Sequence, residues 1–491
     1  MRIRYGTYIK SKQYHFINDN NLYLTWNVED AILSQIDLIE KNILDAIGSE
    51  SLSLKELYLK LSKKLPKKII KKSVSTLIDV NLLTYATFSR FDNIENIQNE
   101  EKNFLKLVER ASLQHIFLNV AQDCNMDCRY CYASGGTYNQ EIISPSLISK
   151  KVAKQAVNFL ISSSGDRDAV RITFFGGEPL LNMPVIKWTI DYGNKVAKEN
   201  NKKIYFGITT NGTLLNNEII DYLLKQNVEI TVSIDGPKNI HDLNRIYKGK
   251  KNGTYNTVYK NISRLLSNAK KYDGFIFFRA TVTAEGLRHF KSIIEQLIDL
   301  GGYRFHLDFA TYKSSDEPNW GKPPTKDDFI AFRQQLRLMA DDILKAAING
   351  KKSKFLPAFT RLLGVIEKRT KKNRFCSTIG NRFCGVSTSG QLYLCHRFVG
   401  TKIGYIGDIW NGINKEIHQK VKKIHIFNSP ICSICWIRHI CGGNCPQENY
   451  YFCNNFVLQS GEPVQCRAVK IWFEEALILY ARLVLNNLKI A

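Results

Sequence analysis

The sequence predicts an α/β protein: a partial (β/α)6 barrel carrying a small N-terminal module and a cysteine-rich C-terminal region. Three observations carry that prediction. Six segments rich in Ile, Val and Phe alternate with helical stretches between residues 112 and 350. Residues 1–100 lack cysteine and read as a hairpin followed by helices. Residues 370–470 hold nine of the twelve cysteines. A chain of 491 residues is too long for one ordinary core. The expected divisions are 1–100, 112–350, 370–470 and a C-terminal helix at 471–491.

Within the first zone, YHFINDNNLYLTWN gives two short strands around an Asn-rich turn at Asp19–Asn21. EDAILSQIDLIEKNILDAI then carries apolar residues at helical spacing. SLSLKELYLKLSKKL begins a second helix, with Ser53 as N-cap and Glu56 three residues on, the pattern of a capping box. KKIIKKSVSTLIDVNLLTYATF adds a third helix and a closing strand. A hairpin, three helices and a strand predict a winged-helix-like module. The plainer alternative is a cap on the main domain.

Strands are predicted at 115–121, 170–176, 204–211, 228–235, 274–283 and 304–310. Helical stretches separate them near 147–162, 185–199, 216–226, 255–269, 287–299 and 325–348. Buried apolar strands joined by crossover helices argue for a parallel sheet. No GxGxxG turn follows any of them, which favours a partial barrel over a dinucleotide-binding fold.

Net charge is +24. The first hundred residues hold 14 Lys+Arg against 12 Asp+Glu, so +2, and the remaining +22 lies beyond them. The lysines are scattered through an Asn- and Ile-rich chain, as translation of AT-rich genes produces. No recognition helix or aromatic–basic signature accompanies them, so nucleic acid is not an expected partner. No apolar run reaches the length of a membrane span. The opening MRIRYGTYIKSKQYHF lacks an apolar h-region, so a cytoplasmic location is expected. In that reducing setting the cysteines read as metal ligands rather than disulfides.

The densest thiols lie in DCNMDCRYCYASGG, Asp123–Gly136, as Cys124-x3-Cys128-x2-Cys131. The run follows the first predicted barrel strand, at the end where barrel enzymes place their chemistry. Three thiolates on a tight loop can hold three irons of a cubane and leave the fourth iron open to a small chelator. Structural zinc wants four ligands, commonly as two separated pairs, and no fourth is local. Free thiols clustered by chance are the remaining alternative.

These residues resemble the radical S-adenosylmethionine (SAM) enzymes. The likeness rests on CxxxCxxC with the aromatic Tyr130 before the last cysteine. It is reinforced by GGEP at Gly176–Pro179, TTNG at Thr209–Gly212 and SIDGP at Ser233–Pro237, each after a predicted strand. The resemblance implies a SAM-binding [4Fe–4S] cluster on Cys124, Cys128 and Cys131. Its open iron would take the amino and carboxylate groups of SAM. One electron would then split the sulfonium, and a 5′-deoxyadenosyl radical would take hydrogen from the substrate. Gly176 and Gly177 lack Cβ and admit close approach. Glu178 would accept from the methionyl ammonium. Thr209, Asn211, Ser233 and Asp235 offer partners for the ribose and amino acid end, and Arg279 would fork onto the carboxylate. Helix capping and turn formation are the alternative roles for these polar residues.

Farther on, Cys376-x7-Cys384 precedes Gly390-x4-Cys395, and Cys432-x2-Cys435-x5-Cys441-x3-Cys445 precedes Cys453 and Cys466. This run resembles the SPASM extension of peptide-modifying radical SAM enzymes. The resemblance implies two auxiliary [4Fe–4S] clusters, three clusters in all. One would sit on Cys376, Cys384, Cys395 and Cys445, the other on Cys432, Cys435, Cys441 and Cys466. Cys453 is left over, and could stand in place of Cys466. A zinc ribbon is the alternative for Cys432–Cys445.

A radical SAM/SPASM pattern implies maturation of a ribosomally made peptide or protein. The N-terminal module resembles the precursor-recognition element of such enzymes, which binds a leader by strand addition. YLCHRFVG, Tyr393–Gly400, resembles the CHxFVG stretch of thioether-forming maturases, those for short Cys-rich peptides and for quinohemoprotein amine dehydrogenase. Sulfatase maturases tend to carry Asp after that cysteine; here the residue is His396, either a general base or a polar residue packed near a cluster. The expected activity is Cys thioether cross-linking by a radical SAM oxidoreductase fed by a flavodoxin- or ferredoxin-type donor. Formylglycine formation, C–C cross-linking and RNA modification are the catalytic alternatives, and a non-catalytic scaffold is the last.

Overall fold

In the barrel strands, alternate residues face opposite sides, so each strand is a two-sided element. In a computed structural model of the chain, Ile116, Leu118 and Val120 face the surrounding helices, while His115, Phe117 and Asn119 take the opposite face. The structure describes residues 8–11, 13–20, 22–48, 51–85, 112–137, 144–272, 274–301, 305–312, 322–376, 382–414, 421 and 424–488. Asn21, part of the expected hairpin turn, lies outside them.

The N-terminal strands are β1 (Tyr8–Ser11), β2 (Tyr14–Asp19), β3 (Leu22–Asn27), β4 (Ile32–Gln35), β5 (Ser51–Ser53) and β6 (Leu83–Tyr85). They form two three-stranded sheets, β5-β1-β6 and β2-β3-β4. Helices Leu38–Ile47, Leu54–Leu61 and Lys67–Asp79 pack around Ile43, Leu57 and Val74. Ser53 and Glu56 form the expected capping box: Glu56 N donates to Ser53 Oγ at 3.2 Å and Ser53 N to Glu56 Oε2 at 2.6 Å.

The β2-β3-β4 sheet does not belong to that helical core alone. Tyr14, Phe16 and Tyr23 pack on the three helices. Ile17, Leu24, Trp26 and Val28 join a different core, with helices Lys326–Ile348 and Val464–Leu485. Trp26 meets Phe473 edge-on at 5.2 Å between centroids. The hairpin is therefore a layer between the N-terminal helices and the C-terminal helix.

Six parallel strands follow: β7 (His115–Ala121), β8 (Ala169–Gly176), β9 (Lys203–Thr210), β10 (Glu229–Ser233), β11 (Ile276–Val282) and β12 (Phe305–Phe309). They stand in sequence order, and each lies within two residues of its expected start, as far as the 274 start, which begins at Ile276. The sheet then continues past β7. β13 (Phe383–Val386) pairs parallel with β7, and β14 (Gln391–Tyr393), β15 (Tyr405–Asp408) and β16 (Gly412–Ile413) add an antiparallel meander. The cysteine-rich region thus extends the barrel sheet to ten strands. The final helix begins at Val464, not 471, which puts Cys466 in its first turn. Among the described residues no helix is long and apolar enough to cross a membrane.

Ion pairs fasten the hairpin layer to its neighbours. Glu475 is fully buried and paired with Arg333 and Arg337; Asp19 takes Arg337 and Arg482. Without the Glu475 charge, Arg333 keeps Glu474 and Arg337 keeps Asp19, so only the charged hydrogen bonds to Glu475 are weakened. Glu475→Gln should therefore lower stability by about 1.5 kcal/mol, read by denaturant unfolding.

Candidate active site

The turn after β8 sets the site. The Gly176 φ is +134°, and a Cβ there would lie 2.0 Å from the Ala121 carbonyl oxygen. A Cβ on Gly177 would lie 2.2 Å from the Asp123 oxygen. Only glycine lets the ends of β7 and β8 meet this closely, and the backbone uses the contact: Gly177 N donates to Ala121 O at 2.8 Å and Glu178 N to Asp123 O at 2.9 Å. The cysteine loop starts at that junction. Its other side is held by residues 244–248, with Asp127 N donating to Ile246 O and Arg129 N to Asn244 O.

Cys124, Cys128 and Cys131 line one cavity of about 150 Å³. Tyr130, Gly176, Gly177, Thr209, Asn211, Ser233 and Arg279 share its wall, with Arg279 paired to Asp308. Two expected contacts are placed elsewhere. Glu178 is fully buried behind the wall and accepts from Leu180 N, Thr210 Oγ1 and Asn211 N at 3.0, 2.7 and 2.7 Å. Its side chain folds the turn rather than facing a ligand. Asp235 accepts from Tyr130 Oη at 2.5 Å and Thr281 N at 3.0 Å, so it orients a wall residue instead of forming the wall.

His396 is also displaced from its expected role as base. It is packed between Phe117 and Phe175, with ring centroids 4.4 and 4.6 Å away, and its Nδ1 is buried without a partner. Burial, reinforced by Arg397 and Arg279, holds its pKa well below the usual histidine value. The neutral ring fills the barrel interior below the cavity, because the aromatic faces of β7 and β8 leave it no water.

Three charged residues that sequence reasoning did not single out as site residues stand in its place. Arg245 is buried on the cavity wall, donates to Tyr130 Oη at 2.7 Å and keeps Nε without a hydrogen-bond partner. Asp308 pairs with Arg279 and with Arg397 at 2.8 Å. Burial alone would raise its pKa, but the two guanidiniums hold it well below the usual carboxylate range. Arg397 reaches on to Glu448 at 2.7 Å and to Cys445 Sγ at 3.9 Å. The signal for Arg397 was adjacent to the residue chosen: it follows His396 directly.

Of the first expected auxiliary set, Cys395 is raised by burial and then by the neighbouring Cys445 and Cys376. Cys384, on β13, sits in the main core and is pushed up to about 12 by burial alone. The second set is gathered more fully: Cys432, Cys435, Cys441 and Cys466 line one small, mainly apolar cavity. Cys453 stands outside it and donates to Asn449 O at 3.2 Å.

Residues 118–297 match the family model described as the Radical SAM superfamily. The chain carries a radical SAM domain and is an enzyme. It is 28% identical over 310 residues to an uncharacterized protein of Methanocaldococcus jannaschii, covering 63% of this chain and 93% of that one. It is 25% identical over 375 residues to a cysteine-type anaerobic sulfatase-maturating enzyme of Clostridium novyi, covering 74% and 95%. The fold is similar to that of native anSMEcpe with bound AdoMet, with a TM-score of 0.60 and 20% identity over 76% of this chain and 100% of that one.

A radical SAM domain implies a [4Fe–4S] cluster. The donor set fits it. A cubane carries each cysteine on a separate iron, which suits thiols spread around a cavity. Burial, followed by Glu178, pushes the Cys124 thiol up to about 12, and burial raises Cys128 and Cys131 as well. These thiols are protonated until a metal displaces the proton, so loading releases acid.

Two outcomes follow for the radical SAM domain. Gly177→Ala should destabilise the protein by about 2 kcal/mol or more and lower iron retention, read by unfolding and iron analysis. Glu178 is raised by burial from 4.5 to about 7. The folded state then holds a proton that the unfolded state has lost, so stability should fall as pH rises from about 4.5 through about 7. In metal-free protein, Glu178→Gln should remove that part of the slope in unfolding measured across the range.

Proposed function

We propose that this radical SAM enzyme matures a peptide or protein, and that its reaction joins a substrate cysteine to a carbon as a thioether. The observation that carries the reading is the presence in one chain of three parts: the cavity with three thiols, the cysteine-rich sheet extension, and an N-terminal sheet held against the Cys432–Cys445 loop and the C-terminal helix. The similarity to a cysteine-type sulfatase-maturating enzyme, over 74% of this chain and 95% of that one, supports protein or peptide cysteine chemistry as the class.

The bound cluster and SAM would together supply a carbon radical that removes one hydrogen atom from the substrate. Cys124, Cys128 and Cys131 would hold the cluster. Gly176 and Gly177 would admit the methionyl end close to backbone, and Arg245, with Nε free inside the wall, would face its carboxylate. Tyr130, oriented by Asp235, would flank the cofactor. Thr209, Asn211 and Ser233 offer hydroxyl and amide groups to the nucleoside. Forming C–S from C–H and S–H removes two hydrogens: one as the atom taken by the radical, the other as a proton and an electron. The thiol proton would leave to water. The electron would pass to an auxiliary cluster on Cys376, Cys384, Cys395 and Cys445 or on Cys432, Cys435, Cys441 and Cys466. A precursor leader would add a strand to an edge of the N-terminal sheets, and a flavodoxin- or ferredoxin-type protein would deliver the initiating electron.

A second reading, formylglycine formation, is favoured by the sulfatase-maturase relative and by the ionised Asp308 at the cavity. Mass spectrometry separates the two. Reconstituted enzyme with SAM, reductant and its precursor peptide should give a product lighter by two hydrogens, with one thiol shielded from alkylation. An aldehyde at a former cysteine, captured by a hydrazide, would decide for the second reading. Cys128→Ala should abolish 5′-deoxyadenosine release in the same assay.

A further inference from the structure

The loop from Cys432 to Cys445 contains no Asp or Glu, yet it buries a guanidinium. Arg438 lies between Cys435 and Cys441, is 3% exposed, and helps line the cavity of Cys432, Cys435, Cys441 and Cys466. A buried cation needs an anion or a full set of acceptors. The loop offers only neutral acceptors, the Cys435 carbonyl and the His439 ring nitrogen Nε2, each at 3.3 Å. The anion comes from some four hundred residues upstream. Glu29, after β3, pairs with Arg438 and also with His439 Nε2 at 3.3 Å. Gln13 completes the clasp: it accepts from Arg438 at 2.6 Å and donates to Ile434 O at 2.8 Å. Beside it, His15 of β2 stacks on Trp436, with centroids 3.8 Å apart and planes 7° from parallel.

We propose that Glu29 and Gln13 are positioning residues for the metal group on this quartet: the N-terminal sheet supplies the charge that sets the position of Arg438 and, through it, the cluster's reduction potential. The inference rests on reading Cys432, Cys435, Cys441 and Cys466 as the holders of an iron–sulfur cluster. Potentials of such clusters follow nearby charge and outer hydrogen bonding. With Glu29 present, the Arg438 charge is largely compensated. Without it, a bare cation borders the cluster and favours the extra electron. The same sheet that would receive a peptide strand is thus part of an electron-transfer site.

The test uses reconstituted full-length holoenzyme, its iron content and an EPR-monitored redox titration. In Glu29→Gln, one auxiliary signal should move to a more positive potential, while the SAM-sensitive signal and SAM cleavage without peptide stay as in the wild type. In Gln13→Glu, which adds a carboxylate at Arg438, the same signal should move to a more negative potential. Opposite shifts cannot come from loosened structure alone. If Glu29→Gln fails to accumulate, the Gln13→Glu shift reads the proposal by itself. Wild-type potentials in Gln13→Glu would overturn it. A wild-type chain that binds iron for only one cluster would overturn the reading of the quartet instead, and the two failures are distinguished by that measurement.

Discussion

The contact of β7 and β8 through Gly176 and Gly177 is the constraint from which the site follows. Two backbones meet where any side chain would overlap a carbonyl. That contact fixes where the cysteine loop leaves the sheet. Glu178 then ties the turn to the end of β9 through Thr210 and Asn211, and Asp235 ties Tyr130 to β10 and β11. The cavity is rigid because its floor is a hydrogen-bonded network with few free members.

Buried arginines connect this cavity to the rest of the molecule. Arg279 and Arg397 share Asp308, and Arg397 continues to Glu448 and Cys445. Arg438 repeats the arrangement at the second thiol set with Glu29. In both places the carboxylate and the guanidinium come from different parts of the chain. Arg438, whose own loop has no carboxylate, could not remain buried if that loop stood alone, whereas Asp308 keeps Arg279 and Arg397 keeps Glu448. The N-terminal sheet, the barrel and the cysteine-rich extension are therefore interdependent through charge as well as through the shared ten-stranded sheet and the Trp26–Phe473 contact.

Local patterns made much of this legible. The capping box at Ser53 and the six strand–helix units were readable from spacing and residue type, while Tyr130, Gly176, Thr209 and Ser233 were named through the resemblance to radical SAM enzymes and line the cavity wall. Glu178, Asp235 and His396 lie behind the cavity wall rather than on it, and the sequence left their roles open for a common reason. A polar residue in a motif can face the ligand or support the residue that does, and sequence spacing does not distinguish the two. Arg245 and Asp308 went unread because each gains its role from a partner distant in sequence, Tyr130 for one and Arg397 for the other.

By itself the sequence determined the period of the strands, the glycines that allow two backbones to touch, and the three clustered thiols, all of which follow from covalent geometry and near neighbours. Tertiary structure alone decided which carboxylates point inward, that His396 is sealed among aromatic rings, and that Glu29 closes a loop four hundred residues away. Those outcomes depend on which charges can find a counter-charge once water is excluded, and that is settled only when distant segments are packed together.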